Sequence, residues 1–421
     1  MSTTAAASPR DDARDHARQM AIIIGAGAAV LAISFGVRSV FGGVLEPISA
    51  QYGWSREVFS LSLAIQNLVW GAAQPLFGMI ADKYGDRRAL WIGFFCYLAG
   101  MILCVLGTTP LMQHLGAGVL VGAGVSGTAF GLVLSVVGRN ARPERRSQAL
   151  GLVSALGSTG QVAMPMLAAF LTGAYGWQTM LLVMAVLIVP MAIFIPFLKT
   201  PPEKLSPSSP AEDAAAEAGV LEMLRRAFGY SSYNLLTLGF FVCGFHVAFI
   251  TVHFPAFVTE ACGDPALGLQ AIGLVGFANI FGSLAAGHLG ARFPKPYVLS
   301  TIYALRALVI FLFISFPITP TTVIIFALAI GPLWLSTVPL TSGIVAGMFG
   351  PKYMATLYGF VFFSHQIGSF LGVWLGGRLY DVYGSYDIVW WAAIALGILS
   401  AIVHLPVREA AYPAPPKPAA A

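Results

Sequence analysis

Long apolar stretches alternate with short polar loops along this chain. Stretches of about 20 residues, the length that spans a bilayer as a helix, fall at residues 20–48, 57–81, 89–107, 110–138, 146–173 and 177–198, and again at 231–259, 266–290, 297–316, 320–348, 353–382 and 385–407. Residues 200–230 between the two sets are rich in Pro, Ser, Ala and Glu, which is typical of a linker. The pattern predicts an all-α polytopic membrane protein with twelve transmembrane helices.

The same pattern divides the chain into two bundles with flanking regions. We expect a tail over residues 1–19, a six-helix bundle over 20–199, a linker over 200–230, a second six-helix bundle over 231–407 and a tail over 408–421. Only 10% of the residues are charged and 57% are hydrophobic, so there is too little charge to cover a soluble globule. Uninterrupted apolar runs of this length favour helices over a β-barrel.

The basic residues predict the orientation in the membrane. Of the 23 Lys and Arg residues, 19 fall in the tails, the linker and the loops of one side, and only Arg56 and Arg378 lie near the other side. By the positive-inside rule both termini are cytoplasmic, in a multi-pass protein of the cytoplasmic membrane, and residues 1–19 are a tail rather than a signal peptide. The net charge of +5 is spread over short loops, which argues against a nucleic-acid partner.

An internal repeat relates the two bundles. A shift of 208 positions places Gly36 on Gly244, Phe41 on Phe249, Pro47 on Pro255, Gly151 on Gly359, Gly160 on Gly368 and Gly176 on Gly384. A shift of 209 places residues 78–90 on residues 287–299 and Gly78 on Gly287. Two parallel, pseudo-symmetric halves predict a binding site between them near the middle of the membrane.

The loop after the second apolar stretch carries a family resemblance. GMIADKYGDRR at residues 78–88 resembles the signature loop of the major facilitator superfamily, with Gly78, Asp82, Gly85, Arg87 and Arg88 at its Gly, Asp and basic positions. Within that superfamily the chain is similar to the monocarboxylate and oxalate:formate group, through FGVRSVFGGVLEPI at residues 35–48 and GGRLYDVYGSYD at residues 376–387. The resemblance implies a secondary transporter that works by alternating access, and we expect it to function as a monomer.

Two arginines, Arg38 and Arg306, lie within apolar stretches whose interiors contain no carboxylate. An ionised side chain inside a bilayer is costly, so an unpaired arginine there favours an anionic ligand. The repeat places His246 at the position of Arg38, and we expect the two to face each other across the pseudo-twofold axis. A guanidinium binds a carboxylate through a planar fork, and an imidazole donates a hydrogen bond or takes up a proton. The alternative for Arg38 is a bond to helix carbonyls.

Other polar side chains extend this predicted site. His253 lies two turns beyond His246, and His365 with Gln366 forms a polar cluster in the eleventh stretch, where the resembling oxalate:formate carriers have a lysine. His246, His253 and His365 are therefore the candidates for proton coupling. Asn279 stands where the animal monocarboxylate carriers have an acidic and basic pair, which leaves the coupling open. The remaining candidate substrate-binding residues are Gln66, Asn67 and Trp334, although bonds between helices explain such residues equally well.

Arg306 and the signature loop have expected roles outside the binding site. Arg306 lies in the ninth stretch, an outer supporting helix in the resembling fold, so bonding to carbonyls explains it at least as well as function. By analogy with the fold, Asp82 pairs with Arg145 or Arg146 as a latch when the cytoplasmic side is closed.

The sequence thus favours a carrier of a small mono- or dicarboxylate, driven by proton symport or by exchange for a counter-anion. A drug/proton antiporter is the alternative, but it would carry acidic residues in the membrane and an Arg near Gly118. An enzyme or sensor is more remote, because no helix bears His and carboxylates at catalytic spacing. The four cysteines lack metal-ligand spacing, and we expect no metal, no cofactor and no partners beyond lipids and the transported ions.

Overall fold

The computed structural model describes residues 9–142, 146–199, 224–349 and 354–409, and helices make up nearly all of this described part of the chain. In the first half they are α1 (Pro9–Ser39), α2 (Leu45–Tyr52), α3 (Arg56–Tyr84), α4 (Asp86–Leu106), α5 (Pro110–Gln113), α6 (Val121–Thr128), α7 (Phe130–Asn140), α8 (Arg146–Ser158), α9 (Gly160–Ile188) and α10 (Met191–Phe194). In the second half they are α11 (Ser231–Cys262), α12 (Pro265–Arg292), α13 (Lys295–Ser315), α14 (Pro320–Ile330), α15 (Thr337–Phe349), α16 (Met354–Tyr383) and α17 (Asp387–His404).

Helices cover all of the apolar stretches that the sequence predicts. By length and composition, nine helical stretches of the described chain are able to cross a membrane, and one of them, Gly151–Phe197, holds 47 residues and covers two predicted spans. Large apolar side chains such as Phe95, Phe170 and Ile193 are more than half exposed on the outside of the bundle. Such an exterior suits lipid rather than water. The number of crossings and the orientation stay predictions.

Three predicted spans are not continuous helices. The first breaks after Ser39 into a 3-10 turn at Phe41–Val44, where Gly42 approaches the backbone of Thr251 so closely that no Cβ would fit. The fourth contains a π-helical segment at His114–Leu120 and breaks again at Ala129. The tenth unwinds between Ile330 and Thr337. Hydrophobic periodicity detects the spans but not these breaks.

The internal repeat is visible in the backbone. Gly176 and Gly384, which the 208-residue shift superimposes, both have positive φ, at 83° and 69°. Only glycine adopts this conformation without strain; Gly176 forms a kink within α9, and Gly384 directly follows the last residue of α16. The pairing also repeats: Gly160 packs against the backbone of Ala32 in α1, and Gly368 packs against the backbone of Phe241 in α11. Small residues allow such close helix contact in membranes.

Candidate functional site

Arg38 ends helix α1 between the two halves of the molecule. Its Nη2 donates a hydrogen bond to Oδ1 of Asn67, and its guanidinium lies 4.9 Å from the ring centroid of Trp70. The Nε atom is buried without a hydrogen-bond partner. Among the described residues no carboxylate forms an ion pair with Arg38, and its side chain remains partly accessible. The protein therefore leaves a cationic fork incompletely satisfied in its interior.

Helix α3 orients the amide that faces Arg38. Asn67 donates from Nδ2 to the carbonyl oxygen of Leu63 at 2.8 Å, which turns its Oδ1 toward the guanidinium. This bond holds the Arg38 side chain without neutralising it, because an amide carries no net charge. Asn67 therefore positions Arg38 and leaves its charge without a counter-ion.

Gln366 of helix α16 belongs to the second half and lies at about the same depth in the molecule as Asn67. It is fully buried, and both its amide oxygen and its amide nitrogen lack a hydrogen-bond partner. Its Cβ and Cγ lie beside Gly71, one helical turn from Asn67 in α3. A buried amide without partners is costly. Gln366 is therefore suited to bond a ligand that Arg38 holds.

Four aromatic rings lie next to these polar groups. The ring of Phe35 lies 4.6 Å from that of Phe130 and 5.7 Å from that of Trp70, and the ring of Phe362 lies 5.3 Å from that of Trp70. We call Phe35, Trp70, Phe130 and Phe362 the ring layer. Both halves contribute to it, since Phe362 belongs to α16.

Hydrogen bonds between helices fix the ring layer. Ser34 and Thr128 share a hydrogen bond of 2.9 Å, which sets α1 against the break before Phe130. The hydroxyl of Tyr97 donates to the carbonyl oxygen of Ser34, and that of Ser126 donates to the carbonyl oxygen of Trp70. The rings next to Arg38 therefore sit on a rigid support.

The structure does not bring His246 to Arg38. Its Nε2 donates to the carbonyl oxygen of Ala393 at 2.7 Å, so the imidazole is directed toward α17 inside the second half. The expectation that the two side chains face each other is wrong for this structure. The repeat aligns the two positions, but Arg38 donates to Asn67 of α3 in the first half, whereas His246 donates to Ala393 of α17 in the second half.

His253 and His365 also make structural contacts. His253 donates from Nε2 to the carbonyl oxygen of Val373 at 2.7 Å, and its Nδ1 accepts from the hydroxyl of Tyr386 at 3.2 Å. The His365 ring stacks on Phe362 with centroids 5.5 Å apart, and its Nδ1 lies 3.5 Å from Oγ of Ser369. Of the three predicted histidines, His365 is the one that contacts the ring layer.

The remaining predicted ligands hold helices together. Gln66 donates to the carbonyl oxygen of Ala117 at 2.8 Å, and Asn279 accepts from the backbone N–H of Leu335 at 3.0 Å. Trp334 is buried within the unwound part of the tenth span. These contacts favour the reading of Gln66, Asn279 and Trp334 as helix-to-helix links.

Arg306 lies inside the second half and is 1% exposed. Its Nε donates to the carbonyl oxygen of Leu333 at 2.8 Å, and its Nη2 donates to the carbonyl oxygens of Leu333 and Trp334. Its Nη1 lies 3.4 Å from Sγ of Cys243. The unwound segment supplies these carbonyls, because its residues lack helical partners. This arrangement matches the carbonyl-bonding alternative that the sequence offered for Arg306.

One end of the molecule is closed by polar contacts between the halves. The N-terminus of α3 presents two backbone N–H groups, of Arg56 and Glu57, to the carboxylate of Asp381 at 3.0 and 2.7 Å. Glu57 also pairs with Arg378 at 3.0 Å, and Arg56 pairs with Glu260 at 3.4 Å. We call Arg56, Glu57, Glu260, Arg378 and Asp381 the gate cluster, and the end at which it lies the gated end.

Aromatic residues complete the gate cluster. The guanidinium of Arg56 lies 3.7 Å from the ring centroid of Tyr380 and donates to the hydroxyl oxygen of Tyr386 at 2.9 Å. The Tyr386 hydroxyl also donates to Nδ1 of His253 at 3.2 Å. The sequence analysis used Arg56 and Arg378 for orientation only. The signal it missed is Asp381 in GGRLYDVYGSYD, since an acid near a helix N-terminus is stabilised there.

At the opposite end, four glycines from both halves have free space around them. A side chain added at Gly78, Gly151, Gly287 or Gly359 would meet no atom within 4 Å. Nearer the gated end, Gly71 packs on Gln366 and Gly276 packs on the backbone of Gln161, each in the other half. The halves thus touch at and near the gated end, and we call the opposite end, which carries Tyr84 and Arg139, the basic end.

Part of the predicted latch at the basic end lies outside the residues that the structure describes. Arg145 lies outside the described residues, as do the side chains of Asp82 and Arg146, and the pairing stays a prediction. Gly85 has a φ of 91° and joins α3 to α4, while Arg87 and Arg88 are exposed. Asp86 pairs with Arg139 at 3.3 Å within the first half. The described part of the loop is therefore built around a glycine that the tight connection requires.

Comparison with known proteins places the chain in a family. The family model of the Major Facilitator Superfamily matches residues 27–337 and 236–421. The uncharacterised MFS-type transporter YcxA of Bacillus subtilis (strain 168) is 24% identical over 379 residues, which cover 87% of this chain and 90% of YcxA. Monocarboxylate transporter 13 of Bos taurus is 26% identical over 361 residues, which cover 84% of this chain and 79% of that protein.

Solved structures share the fold at low sequence identity. A D-xylose-proton symporter aligns with a TM-score of 0.70 at 12% identity, covering 93% of this chain and 98% of the symporter. A peptide transporter POT in complex with sulfate aligns with a TM-score of 0.69 at 14% identity, covering 93% and 95% of the two chains. Fold, apolar helices and family model agree: the chain belongs to the Major Facilitator Superfamily and is a multi-pass membrane transporter, not an enzyme.

Proposed function

We propose that this transporter moves a small organic anion, a monocarboxylate or short dicarboxylate, across the cytoplasmic membrane by alternating access. The observation that carries the proposal is Arg38, a partly accessible guanidinium between the halves whose side-chain partner is the neutral amide of Asn67. A bound carboxylate supplies the charge that this site lacks. The similarity to monocarboxylate transporter 13 supports the same substrate class.

The two ends of the molecule support the mechanism. The gate cluster closes one end, and with the predicted orientation we propose that this is a state that faces the cytoplasm. Opening the other way requires the gate cluster to break and the cytoplasmic ends of the helices to meet, as rocking of one half against the other would achieve. Arg38 lies at the level where both states give access to one site.

Proton symport and anion exchange are the two proposed modes of coupling. His365 is the best placed of the three histidines, because it stacks on Phe362 of the ring layer. Uptake that a pH gradient drives without internal anion would support symport and implicate His365. Uptake that requires a preloaded anion would support exchange.

The test is carboxylate uptake into proteoliposomes by the Arg38→Gln variant. We expect uptake to fall at least a hundredfold, since the Arg38 guanidinium contacts the substrate. The protein should still insert and keep its thermal stability, because this guanidinium contacts few other groups. Arg292→Gln, at the exposed C-terminus of α12 at the basic end, is the matched control and should transport normally. Normal affinity in Arg38→Gln would refute the proposal.

A further inference from the structure

The ring layer lies on one side of the polar site, about one helical turn away. Phe35 precedes Arg38 by three residues, Trp70 follows Asn67 by three, and Phe362 precedes Gln366 by four. Three to four residues correspond to about 5 Å along a helix. Because α1 and α16 run toward the gated end and α3 runs away from it, all three steps lead toward the basic end. A ligand that enters from the basic end therefore meets the rings before it reaches Arg38.

Each accessible ring rests on a buried one. Phe130 and Phe362 are half-buried, so part of each ring is available to a ligand. Phe35 and Trp70 are nearly fully buried and lie 4.6 and 5.3 Å behind them. The guanidinium of Arg38 occupies one face of Trp70. The site thus offers one cationic fork, one neutral amide and a preformed aromatic wall.

The charge of the site limits the charge of the ligand. Within the described part of the chain the mid-helix arginines are Arg38 and Arg306, and the carbonyls of Leu333 and Trp334 occupy Arg306. A second carboxylate on the ligand would lie against the rings or the Gln366 amide. Burying a charge without a cationic partner is costly. One positive charge beside an apolar wall therefore favours a monoanion.

We infer that the site selects monocarboxylates whose carboxyl group is attached directly to a flat, apolar ring. The carboxylate bonds Arg38, the Gln366 amide bonds the same carboxylate or a polar substituent, and the ring lies against Phe130 and Phe362. Aromatic pairs gain energy beyond the area that they bury, which favours an aromatic ring over a saturated one. This inference rests on the proposed function and narrows its substrate class.

The first experiment uses the unaltered protein in nanodiscs and four ligands, with affinity measured by calorimetry. Benzoate supplies the proposed ligand, cyclohexanecarboxylate a saturated ring, acetate a carboxylate without a ring, and phthalate a second charge. We expect benzoate to bind at least tenfold more tightly than acetate, because the ring buries apolar surface. We expect it to bind about threefold more tightly than cyclohexanecarboxylate and at least tenfold more tightly than phthalate.

The second experiment changes one ring of the aromatic wall and leaves Arg38 unaltered. Phe362→Leu should weaken benzoate about three- to tenfold and leave acetate unchanged. Phe360→Leu is the matched control, because Phe360 lies in the same helix but its ring faces Phe228 at 5.7 Å. That variant should bind both ligands as the unaltered protein does.

The outcomes separate this inference from the proposed function. Equal affinity for acetate and benzoate, or a preference for phthalate, would overturn the inference, and the proposed function would stand if Arg38→Gln abolished that binding. An equal loss of benzoate and acetate in Phe362→Leu would also overturn it, since the ring would then serve packing only. Absence of binding by all four ligands would overturn both.

Discussion

Arg38 and Arg306 both lie inside apolar helices, but their hydrogen-bonding surroundings are opposite. Arg306 is enclosed in the second half and donates to the carbonyls of an unwound segment. Arg38 lies between the halves, donates to one amide and keeps Nε without a partner. The difference teaches that a charge within the membrane marks a binding site only where the protein leaves its bonding capacity unused.

The substitution of Arg306 should have the largest effect, and it should act on stability. Arg306→Gln should lower the free energy of unfolding by about 2–5 kcal/mol, because the carbonyls of Leu333 and Trp334 lose charged donors in a buried place. The measurement is thermal unfolding in detergent. Arg38→Gln serves as the comparison and should unfold near the temperature of the unaltered protein. Equal losses in the two variants would show that both arginines are structural.

Asn67→Asp should convert the surroundings of Arg38 into an ion pair. A carboxylate at the place of the Asn67 amide would neutralise the guanidinium and compete with the cargo. We expect benzoate or acetate affinity to fall about tenfold or more without loss of thermal stability. The control is Asn67→Leu, which removes the hydrogen bond but not the free charge. Tighter anion binding by Asn67→Asp would contradict the role given to Arg38.

Opening of the gate cluster would give a second state of the protein, in which access to Arg38 and to Arg306 can be compared. Asp381→Asn should weaken the contact with the N-terminus of α3 by about 0.5–2 kcal/mol and shift the population toward opening at the gated end. A cysteine introduced at Ser60, which contacts the gate, should then react faster with an impermeant thiol reagent added from outside in a variant without native cysteines. A matched Asp387→Asn change, at the start of α17, should leave the labelling rate unchanged. An unchanged rate in Asp381→Asn would exclude it from the gate.

Much of the fold was predictable because its determinants are local. Apolar length located the helical spans, and the 208-residue repeat located Gly176 and Gly384, which share a positive φ. Arg38 was found because a lone charge in an apolar run is conspicuous. The breaks after Ser39 and Ile330 were not predictable, since they depend on contacts with other helices.

The site was predicted less well because side-chain direction depends on those breaks. His246 occupies the repeat position of Arg38, yet it bonds Ala393 of α17, a contact between helices that the sequence does not reveal. The ring layer was missed because Phe35, Trp70, Phe130 and Phe362 are scattered over four helices and resemble ordinary apolar residues in the sequence. Asp381 was missed because its partner is a helix N-terminus rather than a basic side chain.

The single uncompensated charge of Arg38 has an electrical consequence. With the proposed function and proton symport as its mode, the empty carrier holds one positive charge at Arg38 that changes the compartment it faces. The return of the empty carrier then moves charge through the membrane field, at up to about 2.3 kcal/mol per 100 mV. A potential that is negative inside would hold empty carriers facing the cytoplasm, so the resting voltage of the cell would set how often the protein is available to cargo outside.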